Sequence, residues 1–146
     1  MVNFIIRPVR EEDLVQILNI EKTSFTSPWS RASFLSELYN RYSICRLAEN
    51  SGTIAGYIFV RHISDECHIL TLAVHELYRR SGVASMLLKD ILNDVRSDGC
   101  QHIFLEVRAS NIAAQNLYDK FNFVKSRIRK GYYQNPEEDA VEMMLR

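Results

Sequence analysis

Three groups of residues in this chain have types and spacings suited to chemistry. The first is Arg79, Arg80, Ser81, Gly82, Val83, Ala84 and Ser85. An apolar run over 69–74 precedes them and an amphipathic stretch over 85–96 follows, so a strand leads through a basic, glycine-containing turn into a helix. The first turn of a helix carries unpaired N–H groups and about half a positive charge, and both attract an anion. Gly82 lets the backbone approach that anion closely, and Arg79 and Arg80 add positive field. This turn implies a phosphate-bearing cofactor.

The second group is Glu106 with Arg108. A carboxylate set among Ile103, Phe104, Leu105 and Val107 is costly unless it is paired or functional. At the carboxyl end of a central strand it would sit where open sheets bind ligands, and could serve there as a general base, directly or through water. Arg108 lies two residues on and on the same strand face, which offers the other reading, a structural ion pair. The third candidate is Tyr118, one to two helical turns after a cap at Ser110 or Asn111. Its phenol, with an ordinary pKa near ~10, stays protonated at neutral pH and could donate to a leaving group; the alternative is a core or rim tyrosine. His62, His68, His75 and His102 show no metal-ligand spacing, so no metal is expected. Trp29, Tyr132 and Tyr133 fall in two loops, where aromatic residues either join the core or line a recognition groove.

These groups need elements to position them. Residues 3–7 alternate as a short strand that Pro8 ends. Glu11, Glu12 and Asp13 open a helix that should end near Phe25, with Leu14, Ile17 and Leu18 inward. The stretch 27–30 breaks it, and Ser30 caps a second helix over 31–39. Strands over 42–49 and 54–63 flank a turn at 50–53, and another strand covers 67–74. The helix after the arginine turn repeats Val83, Leu87, Ile91 and Val95 every four residues and stops at Gly99. Residues 102–107 read as a buried parallel strand reached by that helical crossover. A shorter helix buries Ala113, Ala114, Leu117, Tyr118 and Phe121, with Asn122 beyond its end in the left-handed conformation. Strands over 123–128 and 141–145 enclose a polar, aromatic loop over 131–139. The sum is an α/β domain on a mixed sheet with one βαβ unit at its centre.

The chain has 146 residues, a length that suits one domain spanning 1–146. Its 18 basic residues balance 18 acidic ones, which argues against wholesale nucleic-acid binding. Cys45, Cys67 and Cys100 form neither a disulfide framework nor a zinc pattern, which fits a reducing compartment. No apolar run approaches the ~18 residues of a membrane span, and a cytoplasmic protein is expected.

Several segments together resemble one family. Residues 74–85, with Arg79, Gly82 and Ala84 as the core, look like the acetyl-CoA pyrophosphate loop of the GCN5-related N-acetyltransferase (GNAT) superfamily. The run from Leu105 to Asn111, followed by Ala113, Ala114, Leu117 and Tyr118, is similar to that superfamily's later motif. The stretches 25–30, 128–133 and 138–140 narrow the likeness to the bacterial ribosomal-protein-alanine N-acetyltransferases. The resemblance implies a mostly antiparallel mixed sheet of about seven strands flanked by about four helices. It implies Leu72, Ala73 and Val74 along the pantetheine arm, residues 79–85 around the pyrophosphate, and Asn111 and Tyr118 against acetyl-CoA. Glu106 and Tyr118 become the base and the acid, and Phe25, Trp29, Tyr132, Tyr133 and Glu138 the substrate contacts. Ala84 stands where a second loop glycine is usual, which requires a negative φ there.

The implied reaction is acetylation of a protein N-terminus, the alanine of the eighteenth small-subunit ribosomal protein, by a monomer or weak dimer without nucleic acid or membrane. The alternatives are a GNAT enzyme for broader N-termini or small amines, and a non-catalytic acetyl-CoA-binding subunit.

Overall fold

The computed structural model describes residues 3–146. The order of elements is β1 (Ile5–Pro8), α1 (Leu14–Ser24), α2 (Arg31–Leu38), β2 (Ser43–Asn50), β3 (Thr53–Ile63), β4 (Glu66–Val74), α3 (Val83–Ser97), β5 (His102–Arg108), α4 (Ile112–Lys120), β6 (Val124–Tyr133) and β7 (Glu138–Leu145). The strands form one seven-stranded sheet in the order β1-β2-β3-β4-β5-β7-β6. Every neighbouring pair is antiparallel except β4 with β5. Among the described residues, no helix is long and apolar enough to cross a membrane.

β3 is the axis of the packing. Its residues 54–60 are buried without interruption, as a strand covered on both faces must be. Ala55, Ile58 and Val60 meet the apolar stripe of α3, made by Val83, Leu87, Leu88, Ile91 and Val95. Ile54, Tyr57 and Phe59 meet α1 and α2 on the opposite face, where Leu14, Ile17, Ile20 and Phe34 close a second core. Phe34 is the hub there, with its ring 5.1 Å from Trp29 and 5.0 Å from Phe59.

Local chemistry sets most boundaries. Ser51 and Gly52 take φ of 50° and 86°, as a two-residue hairpin turn matched to strand twist requires. Ser30 Oγ accepts from Ser33 N and caps α2. Gly99 and Asn122 each take positive φ just past the ends of α3 and α4. Ala84 lies within α3, outside the positive-φ positions, so its side chain carries no penalty.

Three expectations change. Glu11, Glu12 and Asp13 form a tight 3-10 turn ahead of α1 rather than its first turn. Pro8 ends inside β1, because β1 is an edge strand and its missing N–H breaks no ladder bond. The loop expected over 131–139 shrinks to a turn over 134–137: β6 runs on to Tyr133 and β7 starts at Glu138. A bulge between Arg129 and Tyr133, with Gly131 at φ 61°, lets the hairpin continue.

Candidate active site

The site arises from a divergence of strands. β4 and β5 pair only at Glu66 with His102, Cys67 with Ile103, and His68 with Phe104. Leu70 is an extra residue opposite β3, between Ile69 paired to Val60 and Thr71 paired to Phe59, and this bulge turns β4 away from β5. Beyond His68 the two strands splay, and among the described residues the edge of β4 over 69–74 has no strand partner on that side. A cavity of about 180 Å³ occupies the gap. Leu72, Leu105 and Glu106 line its walls, with Asn111, Ala114 and Tyr118 of the α4 segment on one side. Glu21, Phe25, Ser27 and Trp29 of the α1–α2 segment, with Tyr133 of β6, border it as well.

Glu106 points away from the α3 core because β5 alternates: Ile103, Leu105 and Val107 are buried in that core and Glu106 lies on the other face. Its side chain is only 7% exposed. Burial pushes the carboxyl pKa up, but donors outweigh it. His68 Nε2 lies 3.1 and 3.0 Å from its two oxygens, Tyr132 donates its hydroxyl to Oε1 at 3.1 Å, and Arg129 adds positive charge. The net result is a pKa below the ordinary glutamate value, so the group is ionised at neutral pH. Arg108 is not its partner. That guanidinium bonds Glu138 at 3.3 Å and the carbonyls of Pro136 and Gln134, and it stacks 4.5 Å over the Tyr133 ring. The alternative reading, a structural Glu106–Arg108 ion pair, is thereby overturned, because the β6–β7 turn gives Arg108 nearer acceptors.

Tyr118 is buried against Phe123, its ring centroid 5.4 Å away. No hydrogen bond among the described residues ties up its hydroxyl, and burial pushes its pKa above that of a free phenol. It therefore remains a proton donor over the neutral range. Asn111 rather than Ser110 is the cap of α4, its side chain accepting from Ala114 N at 3.1 Å. Gln115 braces the turn from β5, donating to the carbonyls of Arg108 and Ala109.

The arginine turn lies beyond the cavity. Arg80 and Gly82 take φ of 64° and 79°, so the chain bends twice before α3. No side chain caps the start of that helix. Arg79 Nε donates to the Val74 carbonyl at 3.4 Å, which ties the turn to the end of β4. None of residues 79–85 lines the cavity, and neither do Ala73 and Val74. Of the expected peptide contacts, Phe25, Trp29 and Tyr133 line it, whereas Tyr132 and Glu138 do not. Tyr132 bonds Glu106 instead, and Glu138 accepts from Ser110 N and Arg108.

Sequence reasoning missed Glu21 and His68. Glu21 is 2% exposed and accepts from Trp29 N at 2.9 Å, Tyr57 OH at 2.5 Å and Thr71 Oγ1 at 3.4 Å. In sequence it falls four residues after Ile17 and seven after Leu14, on the apolar face of α1, and a carboxylate on that stripe was the available signal. His68 carried one signal, its place one strand before Glu106, but strand register alone decides that they touch.

Known proteins share this sequence pattern and this fold. A family model for acetyltransferases of the GNAT family matches residues 14–123, from the start of α1 to the residue before β6. The [ribosomal protein bS18]-alanine N-acetyltransferase of Escherichia coli (strain K12) is 34% identical over 135 residues, spanning 91% of this chain and 90% of that protein. An N-alpha-acetyltransferase of Saccharolobus solfataricus is 31% identical, spanning 93% and 89%. The crystal structure of the ribosomal-protein-S18-alanine N-acetyltransferase from Escherichia coli superposes with a TM-score of 0.91 at 30% identity, covering 98% of this chain and 93% of that one. The divergent strands, the uncapped helix after a basic turn and these likenesses together place the chain in the GNAT acetyltransferase family.

Proposed function

We propose that this chain transfers the acetyl group of acetyl-CoA to the N-terminal α-amino group of a protein. Its substrate is the alanine N-terminus of the ribosomal protein for which its bacterial relatives are named. One observation carries the reading: the split between β4 and β5 puts Glu106 and Tyr118 on the lining of one cavity. The free edge of β4 over 69–74 offers backbone groups to an extended ligand arm, and residues 79–85 at the start of α3 offer amides and positive charge to a diphosphate. Acetyl-CoA supplies a thioester carbonyl, and the residues do the rest.

An α-ammonium with a pKa of ~7.7–8.0 must lose a proton before it can attack. The ionised Glu106 draws it in and accepts that proton. A cofactor and peptide filling the cavity remove the remaining water from Glu106, which extends the burial that already pushes its pKa upward and makes it a stronger base. A backbone N–H on the free edge of β4 stabilises the developing oxyanion. The freed amine attacks the thioester carbonyl directly, the C–S bond breaks as the C–N bond of the amide forms, and Tyr118 protonates the departing thiolate, so no acyl-enzyme forms. The cavity is small and walled by Phe25, Trp29 and Tyr133, which suits a short first side chain. Ser27 Oγ donates to the Gln134 carbonyl at 3.1 Å and joins the α1–α2 segment to the β6–β7 turn above it. A cytoplasmic location follows from a ribosomal substrate.

Glu106→Gln is expected to lower turnover on an alanine-initiated peptide by ~10²–10⁴-fold while acetyl-CoA affinity holds. Tyr118→Phe is expected to slow the same step. Steady-state kinetics with calorimetric binding check both, and full turnover by Glu106→Gln ends the assignment. A panel of N-terminal peptides and small amines tests the substrate class; broad peptide use would favour the broader N-terminal acetyltransferase.

A further inference from the structure

We propose that His68 is a positioning residue for Glu106, holding both carboxylate oxygens through Nε2–H and leaving Oε2 as the oxygen that accepts the substrate's proton. The inference rests on the reading of Glu106 as the base. An ionised carboxylate only accepts hydrogen bonds, so the nitrogen that lies 3.1 Å from Oε1 and 3.0 Å from Oε2 must carry the hydrogen. That holds for the imidazolium and for the neutral Nε2–H tautomer alike. Tyr132 adds a second donor to Oε1. Oε1 thus serves two donors and Oε2 one, so Oε2 keeps the spare lone pair on a group that lines the cavity.

The imidazole is itself fixed. Its ring stacks on Phe104 at 4.4 Å and 14° between planes. His68 and Phe104 are the last paired residues before β4 and β5 separate, so the ring sits at the apex of the cleft. Charged and titratable groups surround it on each side: Arg61 is its register partner on β3, Glu37 of α2 is bonded to Arg61 at 2.6 Å, and the neutral Tyr132 and charged Arg129 of β6 reach Glu106 from beyond. The side chain is 33% exposed, so the bond to Glu106 joins a nearly buried carboxylate to a ring in contact with solvent.

Two substitutions separate the bond from the packing. His68→Phe keeps the flat ring over Phe104 and removes the donor; His68→Gln restores a donor without an imidazole. Carboxyl-¹³C glutamate labelling, with the Glu106 signal assigned by its loss in Glu106→Gln, reads the titration of the base directly. The Glu106 midpoint is expected to move to higher pH in His68→Phe and to return toward the wild-type value in His68→Gln. Turnover is expected to fall by up to about 10²-fold in His68→Phe, the scale of a misplaced catalytic group, and to recover largely in His68→Gln. An unchanged midpoint or unchanged turnover in folded His68→Phe overturns the proposal, as does a folded His68→Gln as impaired as His68→Phe. Full turnover by Glu106→Gln would instead defeat the reading of Glu106 on which it stands. An inactive Glu106→Gln beside a wild-type-like His68→Phe defeats the role of His68 alone.

Discussion

Glu21 and Glu106 are carboxylates on the wall of one cavity, and their surroundings push them in opposite directions. For both, burial is the largest influence and raises the pKa. Around Glu106 the donors include an imidazole and the nearby charge of Arg129, which more than offset burial. Glu21 is offered only neutral donors, from Trp29 N, Tyr57 OH and Thr71 Oγ1, and its pKa stays raised. Its work is mechanical: it holds the backbone of Trp29 to Tyr57 and Thr71 of the sheet. Glu21→Gln turns one acceptor into a donor facing another donor. We expect a loss of about 1–3 kcal/mol in thermal unfolding. We also expect a KM for peptide raised about tenfold, the worth of one such ~1.4 kcal/mol bond, with acetyl-CoA affinity unchanged. At this scale Glu106 was legible because a carboxylate is out of place in an apolar strand. Glu21 likewise interrupts the apolar stripe of Leu14 and Ile17, but the partners that give it its work lie 36 and 50 positions away.

Among elements, the close approach of β3, β4 and α3 has the sharpest consequence. A Cβ on Gly56 would lie 2.8 Å from the Ala73 carbonyl and 3.0 Å from Val83 Cγ1. The backbone oxygen cannot move aside without shifting β4 where it borders the cleft. Gly56→Ala is therefore expected to cost about 1–3 kcal/mol in urea unfolding, the usual penalty of overpacking. It should weaken acetyl-CoA binding in calorimetry as well. The β6–β7 hairpin shows why the strands expected over 123–128 and 141–145 are too short. Residues 124–130 of β6 are all exposed on an edge strand, so no apolar alternation marks them. Its length is set by pairing with β7, and that pairing brings Tyr132 and Tyr133 to the site.

For the whole molecule, buried ion pairs govern the response to acid. The bond with Arg7, at 2.8 Å, is the largest influence on Asp13 and lowers its pKa against burial; Arg61 does the same for Glu37. A carboxyl lowered on folding adds stability that is complete above its unfolded value and is lost as pH falls through its folded one. Glu21, raised on folding, acts with the opposite sign: its contribution is present below the unfolded value and lost as pH rises through the folded one. The lowered groups predominate, so stability should decline as pH falls below about 4, where unfolded carboxylates take up protons. Asp13→Asn is expected to reduce stability at pH 7 and to flatten that decline, as urea unfolding at the two pH values would read. A decline as steep as that of the wild type would assign acid sensitivity elsewhere.

The amino-acid sequence by itself determined the local events: the caps at Ser30 and Asn111, the reversals at Gly99 and Asn122, the amphipathic stripe of α3 and the basic turn before it. Each depends on the conformational preferences of residues within a turn or two of one another, so a short window contains the whole cause. Tertiary structure alone decided where β4 leaves β5, that Glu106 faces His68 instead of Arg108, and that Glu21 latches the wall of the cavity. Those outcomes turn on strand register, on a bulge and on which distant acceptor lies nearest, and a one-residue change of register would send Glu106 or His68 to the other face of the sheet.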